Sequence, residues 1–255
     1  LAGAGVCGPI VTLISSFAFL VGIGGAPLMA IRMGEDNQEG AQKILANCFV
    51  MLLALSAALT GLAIAFREPM LMFFGASEQT FPYANSYLTY YVMGTVFAIL
   101  TAGLNQFITC QGFANEAMLT TIIGAVMNII LDPIFIFALD MGVTGAAVAT
   151  VLSQACSCLF VLWFLFSDRV HVRISFRGYS GKIMLRVLTF GFCPFIIIAG
   201  DSVLIIALNT VLQNYGGAQG DMLIACATIV QSYMQIVTLP LGGITSGTQP
   251  ILSFN

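Results

Sequence analysis

Long apolar stretches constrain this chain more than any other feature of its sequence. Seven of them alternate with short polar connections, at approximately residues 6–31, 44–66, 87–110, 117–139, 143–166, 187–212 and 222–248. A helix needs about 20 apolar residues to cross a bilayer core of about 30 Å. Only 7% of the 255 residues are charged, whereas soluble domains carry about 25%. The sequence therefore predicts an all-α, polytopic membrane helix bundle.

The basic residues are distributed unevenly among the connections. If the spans alternate, the connections after the first, third and fifth runs share one side of the membrane. They and their flanks hold seven of the eight basic residues, namely Arg32, Lys43, Arg169, Arg173, Arg177, Lys182 and Arg186. Because basic loops tend to stay in the cytoplasm, we expect the loops 32–43 and 167–186 to be cytoplasmic.

The connection 167–186 is the longest break and divides the chain. We interpret it as a cytoplasmic linker with an amphipathic segment rather than as a lipid-binding element. The sequence thus predicts a first lobe at 1–166, a linker at 167–186 and the start of a second lobe at 187–255. The sequence begins at Leu1 and stops at Asn255 without a polar tail, so we expect an internal piece of a longer protein.

The sequence contains few of the residue patterns that enzymatic catalysis needs. His171 is the only histidine, the seven cysteines form no CxxC pair, and no phosphate loop of the Walker type occurs. A nucleophile–base pair at membrane depth is not visible either. We expect no catalytic residues and no cofactor.

One acid lies inside the fourth apolar run. Asp132 shares a helix face with Asn128, one turn earlier, and Pro133 follows it directly. Inserting an ionisable group at membrane depth costs about 2.5–3.5 kcal/mol, so the presence of Asp132 needs an explanation. Because proline removes a backbone hydrogen bond, the helix should bend or loosen here. The pattern indicates a site for a proton or a cation, and the alternative is an acid that merely satisfies a kinked helix.

The chain then turns back at Asp140 and Gly142. Asp132 and Thr150 lie equally far along the chain from Met141, so at about 1.5 Å per residue each is roughly 13 Å from the turn. The hairpin should place the Thr150 hydroxyl at the depth of the carboxylate. Small residues let the two helices approach closely, and they are Gly145, Ala146, Ala147 and Ala149.

A second acid, Asp201, occurs in the sixth apolar run after Pro194 and two turns before Asn209. Asp201 could line the same cavity as Asp132, from the opposite bundle. Alternatively, it could be hydrogen-bonded to the backbone of a helix loosened by proline. The residues alone leave both interpretations open.

Several motifs together resemble one known family. NIILDPIFIF is followed by GVTGAAVAT and preceded by FITCQGFANEAMLTTIIGAVMN; GIGGAPLMAIRMGEDNQEGAQKILAN lies near the start and GGITSGTQPILSFN at the end. In this order they resemble the multidrug and toxic compound extrusion (MATE) family, and most closely its bacterial multidrug-efflux members. The resemblance implies twelve helices in two six-helix lobes related by a pseudo-two-fold axis. Seven of them, helices two to eight, are visible here.

The resemblance also implies a function. Such proteins are antiporters in the plasma membrane, here a bacterial inner membrane, and export organic cations and hydrophobic drugs in exchange for Na⁺ or H⁺. We expect a monomer in the lipid bilayer, with a coupling ion rather than a cofactor and with no nucleic-acid partner. The alternative is a lipid-linked oligosaccharide flippase of the same superfamily, although basic residues for pyrophosphate are confined to loops and span ends.

The family's cation site has counterparts in this sequence. One branch combines an Asp of helix one with an Asn and an Asp of helix five and a Thr of helix six. The last three match Asn128, Asp132 and Thr150, a set that could hold Na⁺, whereas helix one has no counterpart here. The other branch uses acids of the second lobe, and Asp201 only approximates one of their positions.

Overall fold

The computed structural model describes residues 2–73 and 81–254, and they form nine α-helices. These are α1 (Ala2–Gly34), α2 (Gln38–Ala65), α3 (Arg67–Phe73), α4 (Phe81–Met93), α5 (Thr95–Cys110), α6 (Ala114–Pro133), α7 (Gly142–Phe166), α8 (Gly181–Tyr215) and α9 (Gly220–Phe254). A π-helical turn (Ile134–Ala138) extends α6, and a short 3₁₀ turn (Gly217–Gln219) precedes α9. Residues 74–80, in the connection between the second and third predicted spans, lie outside the described part.

Within the described ranges, six helices are long and apolar enough to cross a membrane, and α4 with α5 makes a seventh span if the bent pair is counted as one. The prediction of an all-α membrane bundle is confirmed. The helices extend beyond the apolar runs by several residues, since polar residues such as Gln38 and Lys182 continue the helical backbone. The predicted connection after residue 67 contains the short helix α3.

The third predicted span is not continuous, because α4 and α5 meet at Gly94 with a bend of 58°. A Cβ atom built on Gly94 would lie 2.5 Å from Cγ2 of Val151 in α7. The bend therefore requires a residue without a side chain at the point where α7 crosses the break. The apolar run at 87–110 thus contains a break that the sequence did not predict, because the deciding contact comes from another part of the chain.

Pro133 loosens its helix as predicted. The regular α-helix ends at this residue, and the next turn has π-helical geometry with a hydrogen bond from the Leu139 amide to the Ile134 carbonyl of 2.9 Å. Such turns commonly accompany a disturbance of the i to i−4 pattern. Pro194 behaves differently, because α8 continues through it as an α-helix.

The helix α1 lies at the centre of the bundle and packs against α2, α5, α8 and α9. It crosses α8 most closely at Gly24 and Gly191. A Cβ atom on Gly191 would lie 1.8 Å from the Leu20 carbonyl oxygen, and one on Gly24 would lie 2.3 Å from the Val187 carbonyl oxygen. The two backbones thus touch directly, as small residues allow in membrane helices.

The segment between α7 and α8 is shorter and more firmly attached than the predicted linker. Val170, Val172 and Ile174 are buried in the core. The Val172 amide donates to Oε1 of buried Gln111 at 2.8 Å. Because α8 already begins at Gly181, Lys182 and Arg186 belong to a helix and not to a loop.

Candidate functional site

The predicted pair of Asn128 and Asp132 forms in the last turns of α6. Nδ2 of Asn128 donates to Oδ1 of Asp132 at 3.3 Å, and both side chains are half-buried. The i, i+4 spacing places them on one face, and α6 stays regular up to Pro133. This bond uses one carboxylate oxygen and one amide hydrogen. The other carboxylate oxygen and the amide carbonyl take no part in it.

Thr150 faces the same region from α7. Its hydroxyl donates to the Ala146 carbonyl at 2.8 Å, so its proton is committed and its oxygen lone pairs can accept from elsewhere. The turn that brings α7 back has left-handed backbone at Asp140 (φ 50°) and Gly142 (φ 54°). The close approach predicted for the small residues is confirmed, since a Cβ on Gly145 would lie 2.6 Å from the Phe135 carbonyl oxygen.

A polar cavity of about 510 Å³ lies between α1, α5, α6 and α7. Asn128 and Thr150 both line it, so the structure brings these two predicted residues together. Asp132 lies one helical turn beyond the lining residues and reaches the cavity through its hydrogen bond with Asn128. The carboxylate is therefore adjacent to the cavity rather than in its wall.

Further polar residues of this cavity were not singled out from the sequence. They are Ser15, Thr101, Asn105, Gln106, Thr120, Thr121, Ser153, Gln154 and Ser157. A pattern in the sequence could have identified the three on α7, because the polar residues of this helix recur at positions 150, 153, 154 and 157, which is one helical face. Each of the other polar residues, taken alone, resembles an ordinary packing residue of a membrane helix.

Two acceptors of the cavity lack partners. Within the described part of the chain, the buried oxygens Oδ1 of Asn105 and Oε1 of Gln154 accept no hydrogen bond. Leaving a buried acceptor unpaired costs about 1–3 kcal/mol. Both oxygens are buried, although their residues line the cavity together with Asn128 and Thr150. A ligand with positive charge or hydrogen-bond donors could pair with these oxygens once the two side chains turn toward the cavity.

Asp201 does not join this group. Its side chain is exposed on α8, and it is not among the described residues that line the cavity. Its neighbours Ser202 and Asn209 are buried instead. Asp201 therefore lies on the exposed face of α8, and Ser202 and Asn209 lie on its packed face.

Comparisons with known proteins agree with this architecture. The family model MatE matches residues 1–134, which is just over half of the chain. The chain is 26% identical over 251 residues to the multidrug export protein MepA of Staphylococcus haemolyticus, and 27% identical over 249 residues to MepA of Staphylococcus saprophyticus. These alignments cover 97% of this chain and 54% of each relative, so the chain spans about half the length of the curated relatives it matches.

Solved structures match along the whole chain. The MATE multidrug transporter DinF-BH, solved as a complex with a ligand, superposes with a TM-score of 0.93 at 34% identity, and the match covers 100% of this chain and 57% of that transporter. An inward-facing multidrug resistance MATE family transporter of the MOP superfamily gives a TM-score of 0.87 at 25% identity, and that match covers 100% of this chain and 62% of the transporter. The family model, the sequence relatives and the fold agree, and the chain belongs to the MatE family.

Proposed function

We propose that the protein works as a secondary antiporter that exports organic cations or hydrophobic drugs across the bacterial inner membrane in exchange for Na⁺ or H⁺. Its membership of the MatE family supports this proposal, as do the MepA relatives, which are named multidrug export proteins, and DinF-BH, which is named a multidrug transporter. We further propose a monomer. The distribution of basic residues supports a cytoplasmic location for the segments 32–43 and 167–186.

The hydrogen-bonded pair of Asn128 and Asp132 beside the polar cavity carries the proposal. A carboxylate surrounded by apolar helices can hold a proton, a sodium ion or an organic cation, but charges of the same sign compete for it. Exchange follows if loading the small cation favours one arrangement of the lobes and loading the drug favours the other. The π-helical turn after Pro133 is the proposed point at which α6 responds to the occupant of Asp132.

Three ligands of this chain would hold Na⁺ in the proposed site. They are a carboxylate oxygen of Asp132, the carbonyl oxygen of Asn128 and the hydroxyl oxygen of Thr150, and hard cations prefer such oxygens. A proton would need Asp132 alone. Asp201 is a weaker candidate for contact with the cation, because its side chain lies on the exposed face of α8 outside the cavity.

The alternative of a flippase for pyrophosphate-linked oligosaccharides has less support. The described lining residues of the polar cavity include neither lysine nor arginine, whereas a pyrophosphate group needs cationic partners. The oxygens of Asn128, Asp132 and Thr150 in and beside the cavity favour cationic or donor-bearing ligands instead.

Efflux under separately imposed gradients tests the proposal. Cells that express the full-length protein should lose a fluorescent organic cation faster when an inward gradient of either Na⁺ or H⁺ is imposed. Asn128→Ala and Thr150→Ala should each slow this efflux roughly two- to tenfold, since each removes one neutral contact and leaves the charge in place. Efflux that follows neither gradient, or that is unchanged in both variants at equal abundance, would contradict the proposal.

A further inference from the structure

We propose that a groove at one end of the bundle binds the headgroup of an anionic phospholipid, independently of the efflux function. The groove has a volume of about 740 Å³ and lies where α1 ends and where α2 and α8 begin. Four basic residues line it, Arg32, Lys43, Lys182 and Arg186, and we call it the basic groove. Glu35 is its only acidic lining residue within the described ranges.

Two of the four cations are already neutralised by acids. Nη1 of Arg32 lies 2.6 Å from Oε2 of Glu35, and Nζ of Lys43 lies 2.6 Å from Oε1 of Glu39. Lys182 and Arg186 have no acidic partner within 4 Å among the described residues. They lie one turn apart on α8 and are exposed. The basic groove therefore offers two uncompensated cations at one place.

The remaining walls of the basic groove are apolar. Ile31 and Phe190 are exposed there, at 41% and 55% of their surface, beside the more buried Leu28, Ile44 and Ile183. Phe190 follows Arg186 by one turn toward the middle of α8. Cations at the helix ends with apolar side chains one turn deeper match a phospholipid, whose phosphate lies at the interface and whose chains lie below it.

Buried Asn47 fixes the geometry of the basic groove. Its Nδ2 donates to the Gly178 carbonyl at 3.1 Å, and its Oδ1 accepts from the Ser180 amide at 2.9 Å. These two bonds tie the segment before α8 to α2. Gly178 has a left-handed backbone (φ 80°), and a Cβ there would lie 2.6 Å from Cγ of Lys43. The first turn of α8, which carries Lys182, is therefore held beside Lys43 before any ligand arrives.

This arrangement changes the interpretation of the 167–186 segment. The sequence analysis interpreted it as a cytoplasmic linker with an amphipathic segment and assigned no separate roles to its basic residues. The structure separates Lys182 and Arg186, which line the basic groove, from Arg169 and Arg177, which do not. Basic pockets between membrane helices bind anionic headgroups, so the structure divides one charge run into a binding part and a non-binding part.

Native mass spectrometry of the purified chain in detergent tests the assignment. The chain would be titrated with phosphatidylglycerol and, separately, with phosphatidylcholine of the same acyl chains. We expect a preference for phosphatidylglycerol that falls about fivefold in Arg186→Gln and roughly 30-fold in Lys182→Gln/Arg186→Gln, at about fivefold for each neutralised cation. Both side chains are exposed, so the substitutions remove charge without opening the core.

The control variant is Arg169→Gln/Arg177→Gln, which removes the same charge from the same segment and should change the preference less than twofold. Inorganic phosphate distinguishes a headgroup site from a small-anion site, because only a lipid also contacts Ile31 and Phe190. Phe190→Ala should weaken phosphatidylglycerol binding and leave phosphate binding unchanged. An equal loss in the control, no preference for the anionic lipid, or displacement of the lipid by equimolar phosphate would each overturn the proposal.

Discussion

Replacing Asp132 with asparagine is expected to reduce drug efflux by at least about tenfold while leaving membrane insertion and abundance nearly unchanged. The amide keeps the size of the side chain and can still bond to Asn128, whose bond to Oδ1 is 3.3 Å long. It removes only the charge. Contacts to a charged group are worth about 1.5–3 kcal/mol, so transport should fall roughly 10- to 150-fold. Efflux of a fluorescent organic cation, measured at equal protein level, gives the comparison.

Asp140→Asn is the matched control for this experiment. It is the same chemical change eight residues further on, at an exposed acid in the turn before α7. Its backbone is left-handed (φ 50°), a conformation that asparagine tolerates well. Efflux by Asp140→Asn should match the wild type. Wild-type efflux by Asp132→Asn would favour the alternative that this acid only satisfies a helix loosened by Pro133.

Replacing Gly191 with alanine is expected to destabilise the bundle through one added methyl group. The new Cβ would lie 1.8 Å from the Leu20 carbonyl oxygen of α1, and a backbone atom cannot move aside as a flexible side chain can. Overpacking typically costs about 1–3 kcal/mol, and we expect the upper end of that range. Thermal unfolding of the purified chain in detergent should show a clear decrease in the transition temperature.

Gly200→Ala on the same helix should increase the transition temperature instead of decreasing it. A Cβ at Gly200 meets no atom within 4 Å, and alanine in a helix interior is favoured over glycine by about 0.5–1 kcal/mol. On the predicted division at 167–186, the crossing of Gly24 and Gly191 joins the first lobe to the second. An unchanged transition temperature for Gly191→Ala would mean that α1 and α8 do not touch at these residues.

Local patterns in the sequence predicted the elements of the site that depend on nearby residues. The i, i+4 spacing predicted the pair of Asn128 and Asp132, and the proline predicted the disturbed turn after it. The turn at Asp140 and Gly142 was predicted from the short polar break between two apolar runs, and its backbone is left-handed at both residues. All of these features are decided within one hairpin, where spacing along the chain sets spacing in the structure.

Features that depend on distant contacts could not be predicted in this way. The break at Gly94 requires Val151 of α7, and the attachment of α8 requires Asn47, more than 130 residues away from its partners. An asparagine in an apolar run has the same sequence context whether its side chain lines a cavity or fixes a loop. The polar face of α7 is an intermediate case. Its periodicity is visible in the sequence, whereas the presence of Asn105 and Thr101 in the same cavity could not be predicted.

Competition at Asp132 is the central claim of the proposed mechanism, and binding of an organic cation to the purified protein tests it most directly. The apparent affinity for a fluorescent organic cation would be measured over a series of Na⁺ concentrations and pH values, for the wild type and for Asp132→Asn. We predict that the affinity of the wild type decreases as Na⁺ or protons increase, because they compete for the same carboxylate, and that Asp132→Asn binds weakly and responds to neither. Wild-type affinity in Asp132→Asn, with the same dependence on Na⁺ or pH, would contradict this mechanism.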